Sequence, residues 1–209
     1  GGTPVHDQGN EADGWMPDLA DRRAKVTPRT KGIVVINPNN PTGTYSPKSE
    51  IARLHAALPE DVLLVLDHAY AEYLAPEDDD GGMELARTAA NVLVTRTFSK
   101  IYGLAAERVG WGYASSDIIN AMHRIRAPFS FSIAAQDAAI AAVNDTAFVA
   151  HSRAHNNKWL GWFAGEIAKL GNAGDLLVDD VLRRPGAVLS ADRVGEALDQ
   201  LCPEPAAAL

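Results

Sequence analysis

Three short apolar runs, each ending in a polar cluster, constrain this chain more than any other feature. Ile33-Val34-Val35-Ile36, Val62-Leu63-Leu64-Val65-Leu66 and Val92-Leu93-Val94-Thr95 are continuous and rich in β-branched or aliphatic side chains. Runs of this length without polar alternation read as strands buried on both faces, the habit of parallel sheets. Between the first two, Ser46-Pro47 reads as N-cap and first helical position. Ile51, Leu54 and Leu58 then share a helical face, and Pro59 stops the helix. Strands alternating with helices predict an α/β fold built on a mainly parallel sheet with flanking helices.

The rest of the chain extends that pattern and then loses it. Val109-Gly110-Trp111-Gly112-Tyr113 reads as a fourth strand, and Ile118, Ile119, Met122 and Ile125 mark a helix. A long helical stretch rich in Trp and Phe covers roughly residues 146–170. Residues 6–32 are polar and punctuated. Beyond about residue 171 the pattern is unfamiliar: Asp175-Leu176-Leu177-Val178-Asp179-Asp180, a capped helix near 191–201, and an Ala- and Pro-rich end at 203–209 that reads as frayed. The expected division is residues 1–145 as part of one α/β domain, with 146–209 as a linking helix and an atypical C-terminal segment.

Charge and cysteine content exclude several function classes. The net charge of −8 argues against nucleic acid or an anionic membrane as the main partner. A phosphate can still bind locally, because a few oriented N–H groups and one Arg suffice. Cys202 is the only cysteine, so one chain builds no disulfide framework or thiolate cluster, which suits a cytoplasmic compartment. No apolar run approaches the roughly 20 residues of a membrane span.

In open α/β sheets, ligands gather beyond the carboxyl ends of the strands. Asn40, Asp67 and Lys100 follow the three runs in turn. Desolvation at such a place lowers a lysine's pKa and makes Lys100 a nucleophilic amine, although an isolated lysine is more often simply solvated. Thr97 and Ser99 before it, with Gly103 and Arg108 after it, resemble a phosphate cradle beside that nitrogen. Asp67 needs a partner for its carboxylate, and a protonated heterocyclic nitrogen suits it. The bland reading is a loop or N-cap carboxylate. Tyr70 brings a hydroxyl toward the same ring, and Asn40, between two prolines, offers its amide to a ring oxygen or makes a plain Asx turn.

Other features read as structural. His151 and His155 have the spacing of metal ligands on a helix, but no third ligand accompanies them, so no metal site is expected. Trp159, Trp162, Phe163 and Ile167 read as a packing stripe. Asp78-Asp79-Asp80-Gly81-Gly82 reads as a solvated loop. His68 lacks the nucleophilic elbow that a hydrolase needs.

Together, Asn40-Pro41-Thr42-Gly43, Asp67-His68-Ala69-Tyr70 and Thr97-Phe98-Ser99-Lys100 with Arg108 resemble the fold-type I enzymes of the aminotransferase class I/II family, which use pyridoxal 5'-phosphate (PLP). Thr95-Arg96-Thr97-Phe98-Ser99-Lys100-Ile101-Tyr102-Gly103-Leu104-Ala105 looks most like the family's histidinol-phosphate aminotransferase branch. The resemblance covers about residues 1–170. It implies a PLP-dependent transferase large domain, here incomplete, and transfer of an amino group between an amino acid or amino-alcohol phosphate and a 2-oxo acid. It also implies a homodimer. In the family's terms Lys100 holds the cofactor covalently and moves the proton, Asp67 pairs with the pyridine nitrogen, Asn40 and Tyr70 bind the 3'-oxygen, and Thr97, Ser99 and Arg108 hold the phosphate.

The departures are equally specific. The family's earlier glycine/serine phosphate turn and ring-stacking aromatic have no counterpart here. Arg183, Arg184 and Arg193 stand in a context that assigns none of them to a substrate carboxylate. The opening, from Asp13 through Ile36, reads closer to an alanine-type aminotransferase. A fragment, a frame-shifted product and a chimera joined near residues 37–43 all fit this pattern. So do a catalytically inactive remnant and a PLP-dependent decarboxylase or lyase of an amino-acid phosphate, since the ring chemistry belongs to the cofactor.

Overall fold

A computed structural model describes residues 2–6 and 16–169, without the side chains of 161 and 163–169. The segment 175–180, the helix expected near 191–201, Cys202, Arg183, Arg184, Arg193 and the side chains of Phe163 and Ile167 lie outside the described residues, as do residues 7–15.

Helix α1 (Leu19–Ala24) starts where the Asp18 carboxylate accepts the backbone N–H groups of Ala20 and Asp21, both at 2.9 Å. Then follow β1 (Gly32–Ile36), α2 (Lys48–Ala56), β2 (Leu63–Asp67), α3 (Gly82–Thr88) and β3 (Val92–Thr97). The three strands are parallel neighbours in chain order, as α/β crossovers require. β4 (Gly110–Ala114) is the expected fourth strand, but it runs antiparallel to β3: the connection from Phe98 to Val109 forms a loop with one short turn at Ala105–Glu107 and no crossover helix. α4 (Ser116–Ile125), α5 (Ile133–Asn144) and α6 (Thr146–Lys169) complete the described chain.

The core sits on one face of this sheet. Ile33 and Val35 of β1, Leu64 and Leu66 of β2, and Val92 and Val94 of β3 stand in register across the strands and pack with Leu19, Ile51, Leu54 and Ala86 of α1–α3. Strand alternation sends Val34 the opposite way, where it is 58% exposed. The expectation of burial on both faces is therefore corrected for β1. Uninterrupted β-branched sequence fits a strand whether or not a second layer covers it. Leu66→Ala should cost about 3 kcal/mol, whereas Val34→Thr should cost under about 0.5 kcal/mol. Urea unfolding of the two variants checks the contrast.

Ser46 is not the N-cap of α2. Pro47 occupies that place without a side-chain cap, and Ser46 is buried with its backbone bonded to Asn37. Helices α1, α3 and α5 go unread in the sequence: the first two are only 6 and 7 residues long, and the Ala-rich α5 shows no clear apolar stripe. The chain divides into two compact units within α6, Gly1–Arg153 and Ala154–Leu209. In the second unit Trp159 and Trp162 pack edge to face at 5.5 Å, each about two-fifths exposed.

Candidate active site

The sheet ladder continues one residue past β1 and β2, and this sets the site. The Asn37 N–H donates to the Asp67 carbonyl at 3.0 Å, and the His68 N–H donates to the Thr95 carbonyl at 2.9 Å. With backbone still extended, side chains keep alternating. Asn37 and His68 follow the core residues Val35 and Leu66 to the helix-covered face. Asp67 and Thr97 fall in the alternate set with Leu63, Val65 and Thr95.

Past the carboxyl ends of these strands, residues from three loops meet. A turn closed by the Gly43 N–H on the Asn39 carbonyl (2.9 Å), with Gly43 at φ 68°, carries Asn40. The Asn40 Nδ2 donates to the Tyr70 hydroxyl at 2.8 Å, and the Lys100 Nζ lies 4.9 Å from the centre of the Tyr70 ring. Asp67 holds the start of the Tyr70 turn by accepting the Ala69 N–H at 3.1 Å.

The Lys100 loop hangs from a small second core. Phe98 is buried, stacks near Tyr102 at 4.9 Å, and packs with Val109 and with Ala139 of α5. Its N–H and carbonyl bond Val109 and Leu104 (3.1 and 2.9 Å). Within the loop the Ser99 N–H donates to the Thr97 Oγ1 at 3.0 Å. Arg108 adopts a left-handed conformation (φ 52°, ψ 40°), which brings its Nη1 to 2.8 Å from the Ala105 carbonyl and 3.5 Å from the Ser99 Oγ. Thr97, Ser99 and Arg108 thus gather at one end, and Asn40, Tyr70 and Lys100 at the other, joined by the Ser99–Lys100 peptide. Lys100 is exposed, so the desolvation expected for it is not supplied by the described residues.

The helix-covered side holds a polar layer that the sequence conceals. Asp80, expected in a solvated loop, is only 3% exposed. Its Oδ2 accepts from the Asn37 Nδ2 and the His68 Nε2, both at 2.8 Å, and its Oδ1 accepts the Gly82 N–H at 2.9 Å. The correction has a steric cause. Gly81 takes φ 72°, and a Cβ on Gly82 would lie 2.7 Å from the His68 ring, so two glycines let the acidic loop fold inward. Asn37 is fully satisfied: its Oδ1 accepts the Ser46 N–H, and its Nδ2 also donates to the Ser46 carbonyl. Beside this layer a cavity of about 240 Å³ is lined in part by His68, Glu72, Arg96 and Arg153. Arg96 pairs with Glu72 at 3.1 Å, and the Arg153 Nε donates to the Glu72 carbonyl at 2.8 Å. The His68 Nδ1 and Arg96 Nε are buried without hydrogen-bond partners among the described residues, which suits ordered water in a polar cavity of this size.

Burial pushes the Asp80 carboxyl up, but the hydrogen bond and charge of His68 and the Asn37 and Gly82 donors outweigh it and hold it below its ordinary value. A depressed folded-state pKa contributes stability that is present above the unfolded value near 3.8 and lost as pH falls through the folded value. Urea midpoints taken from pH 6 downward should therefore fall in acid. The fall should be shallower in Asp80→Asn, which is less stable at pH 6.

His151 and His155 are both exposed on α6, and among the described residues no group of three or more His, Cys, Asp or Glu side chains is placed to hold a metal ion.

The profile of the family "Aminotransferase class I and II" matches residues 2–169. The chain belongs to that family. Within it, the chain is similar to the histidinol-phosphate aminotransferase of Sphingopyxis alaskensis, with 60% identity over 160 residues, covering 77% of this chain and 43% of that protein. The enzyme of the same name from Zymomonas mobilis is 60% identical over 149 residues, covering 71% of this chain and 40% of that protein. Among solved structures, the histidinol-phosphate aminotransferase from Sinorhizobium meliloti, in complex with pyridoxal-5'-phosphate, superposes with a TM-score of 0.66 at 32% identity, covering 72% of this chain and 42% of that one. The chain thus spans well under half the length of these relatives.

Proposed function

We propose that this chain supplies one part of a PLP-dependent aminotransferase that moves an amino group between histidinol phosphate, or a similar amino-acid or amino-alcohol phosphate, and a 2-oxo acid. One observation carries the reading: Asn40, Tyr70 and Lys100, which follow three different strands, converge within hydrogen-bond and ring-contact distance. The relatives' names support the substrate class.

The donor set fits PLP chemically. Lys100 offers an amine with no carboxylate bound to it in the described structure. Asn40 and Tyr70 offer an amide and a phenol side by side, and Asp67 a carboxylate at a strand end. Thr97, Ser99 and Arg108 offer two hydroxyls and a guanidinium for a phosphate. Bound PLP supplies an electron sink for the bond broken at the substrate's Cα. In this assignment Lys100 anchors the cofactor and carries the proton to and from Cα, and the negative Asp67 holds a proton on the ring nitrogen. The Asn40–Tyr70 pair orients the ring through its oxygen.

On this reading residues 1–145 belong to the PLP-binding large domain, 146–209 begin with a linking helix, and the complete protein is a cytoplasmic homodimer. Among the described residues no helix is long and apolar enough to cross a membrane. The test is a transamination assay of the complete protein with PLP, histidinol phosphate and 2-oxoglutarate. Glutamate formation is expected, and a failure to transfer from any amino-acid or amino-alcohol phosphate would overturn the proposal.

A further inference from the structure

We propose that Asp80, acting through Asn37 and His68, is a positioning residue that holds the Asn40 and Tyr70 loops in the register at which those two side chains meet. This rests on the cofactor reading for its purpose, but its geometry stands alone. Asn37 is three residues before Asn40, and His68 lies between Asp67 and Tyr70. One buried carboxylate grips both, from a segment 43 residues beyond Asn37 and 12 beyond His68.

The grip is directional. An ionised carboxylate only accepts, so His68 presents its Nε2 proton to Asp80, and the Asn37 amide is locked nitrogen-inward by Ser46 and Asp80 together. His68 in turn closes the Tyr70 turn, since its carbonyl accepts the Ala71 N–H at 3.1 Å. A rotation of either side chain about its strand end would therefore carry Asn40 or Tyr70 with it. The polar layer thus lies three residues along the backbone from Asn40 and two from Tyr70.

A merely structural role predicts lost stability and nothing local. A positioning role predicts a local change at Tyr70 in protein that stays folded. The chain contains five tyrosines, so 3-fluorotyrosine labelling gives five fluorine signals, assigned by single Tyr→Phe variants. Asp80→Asn and His68→Leu should displace the Tyr70 signal while leaving that of Tyr113 on β4 in place. His68→Gln, which keeps a donor facing Asp80, should restore the wild-type position. In the complete protein the two disruptive variants should also weaken PLP binding roughly tenfold, as for groups that orient a ligand contact from behind. An unmoved Tyr70 signal in folded Asp80→Asn and His68→Leu would overturn the proposal. The fluorine readout needs no cofactor, so absence of PLP binding in the wild-type protein would strike the function proposed above and leave this result decisive.

Discussion

Borohydride reduction of the PLP-loaded complete protein should fix the cofactor on Lys100, and Lys100→Ala should abolish the adduct altogether. Three of the other lysines with described side chains face carboxylates, and the fourth lies on α6. Lys25 sits 2.5 Å from Asp21, Lys31 3.7 Å from Asp61 and Lys48 2.5 Å from Glu84, while Lys158 lies over the Trp159 ring at 5.2 Å. The Glu84 hydrogen bond and charge push the Lys48 amine above its ordinary value, which makes it a poorer nucleophile. Lys100 instead faces the Tyr70 ring beside Asn40. A ring face is no hydrogen-bond acceptor of the carboxylate kind, so it leaves the Lys100 amine unpaired by any anion among the described residues. Because Lys100 is exposed, its removal should change stability by no more than about 0.5 kcal/mol. Peptide mapping of the reduced adduct is the check. An adduct on Lys48, or one that survives Lys100→Ala, would remove Lys100 from its role.

Asp67→Asn should lower turnover of the complete protein by at least about a hundredfold while PLP binding changes far less. Asn retains Oδ1, so the bond from the Ala69 N–H and the turn that leads to Tyr70 should survive the substitution. What disappears is the negative charge at the end of β2, and with it the means of keeping a ring nitrogen protonated. Loss of charge without loss of shape therefore separates chemistry from binding. Single-turnover rates with histidinol phosphate, set beside PLP titrations, measure the two effects independently. A wild-type rate in Asp67→Asn would end the electron-sink assignment.

Several parts of this fold and candidate site were legible because their signals are local. The β-branched runs marked β1, β2 and β3, and the prolines and glycine of residues 38–43 marked the loop that carries Asn40. Strand ends in an α/β sheet already point to a ligand site, so Asn40, Asp67 and Lys100 stood out by position. The polar layer did not. Asn37 read as the first residue of a loop, and Asp80 as one of three aspartates beside two glycines, a composition that ordinarily means solvent. His68 drew notice only as a base in search of a nucleophile. Nothing in the neighbouring residues of any of the three announces the other two.

Periodicity, chain breakers and the order of the motifs determined, from sequence alone, the strand-and-helix alternation and the family. These depend on residues a few positions apart, where propensity and sterics act directly. Tertiary structure decided which sheet face is covered, that β4 runs antiparallel, that Asn40 touches Tyr70, and that Asp80 is buried. The last shows the reason most clearly. Burying a carboxylate is unfavourable unless donors meet it, and the three that meet Asp80 come from a strand end, a second strand end and its own turn, brought together only when the sheet has formed.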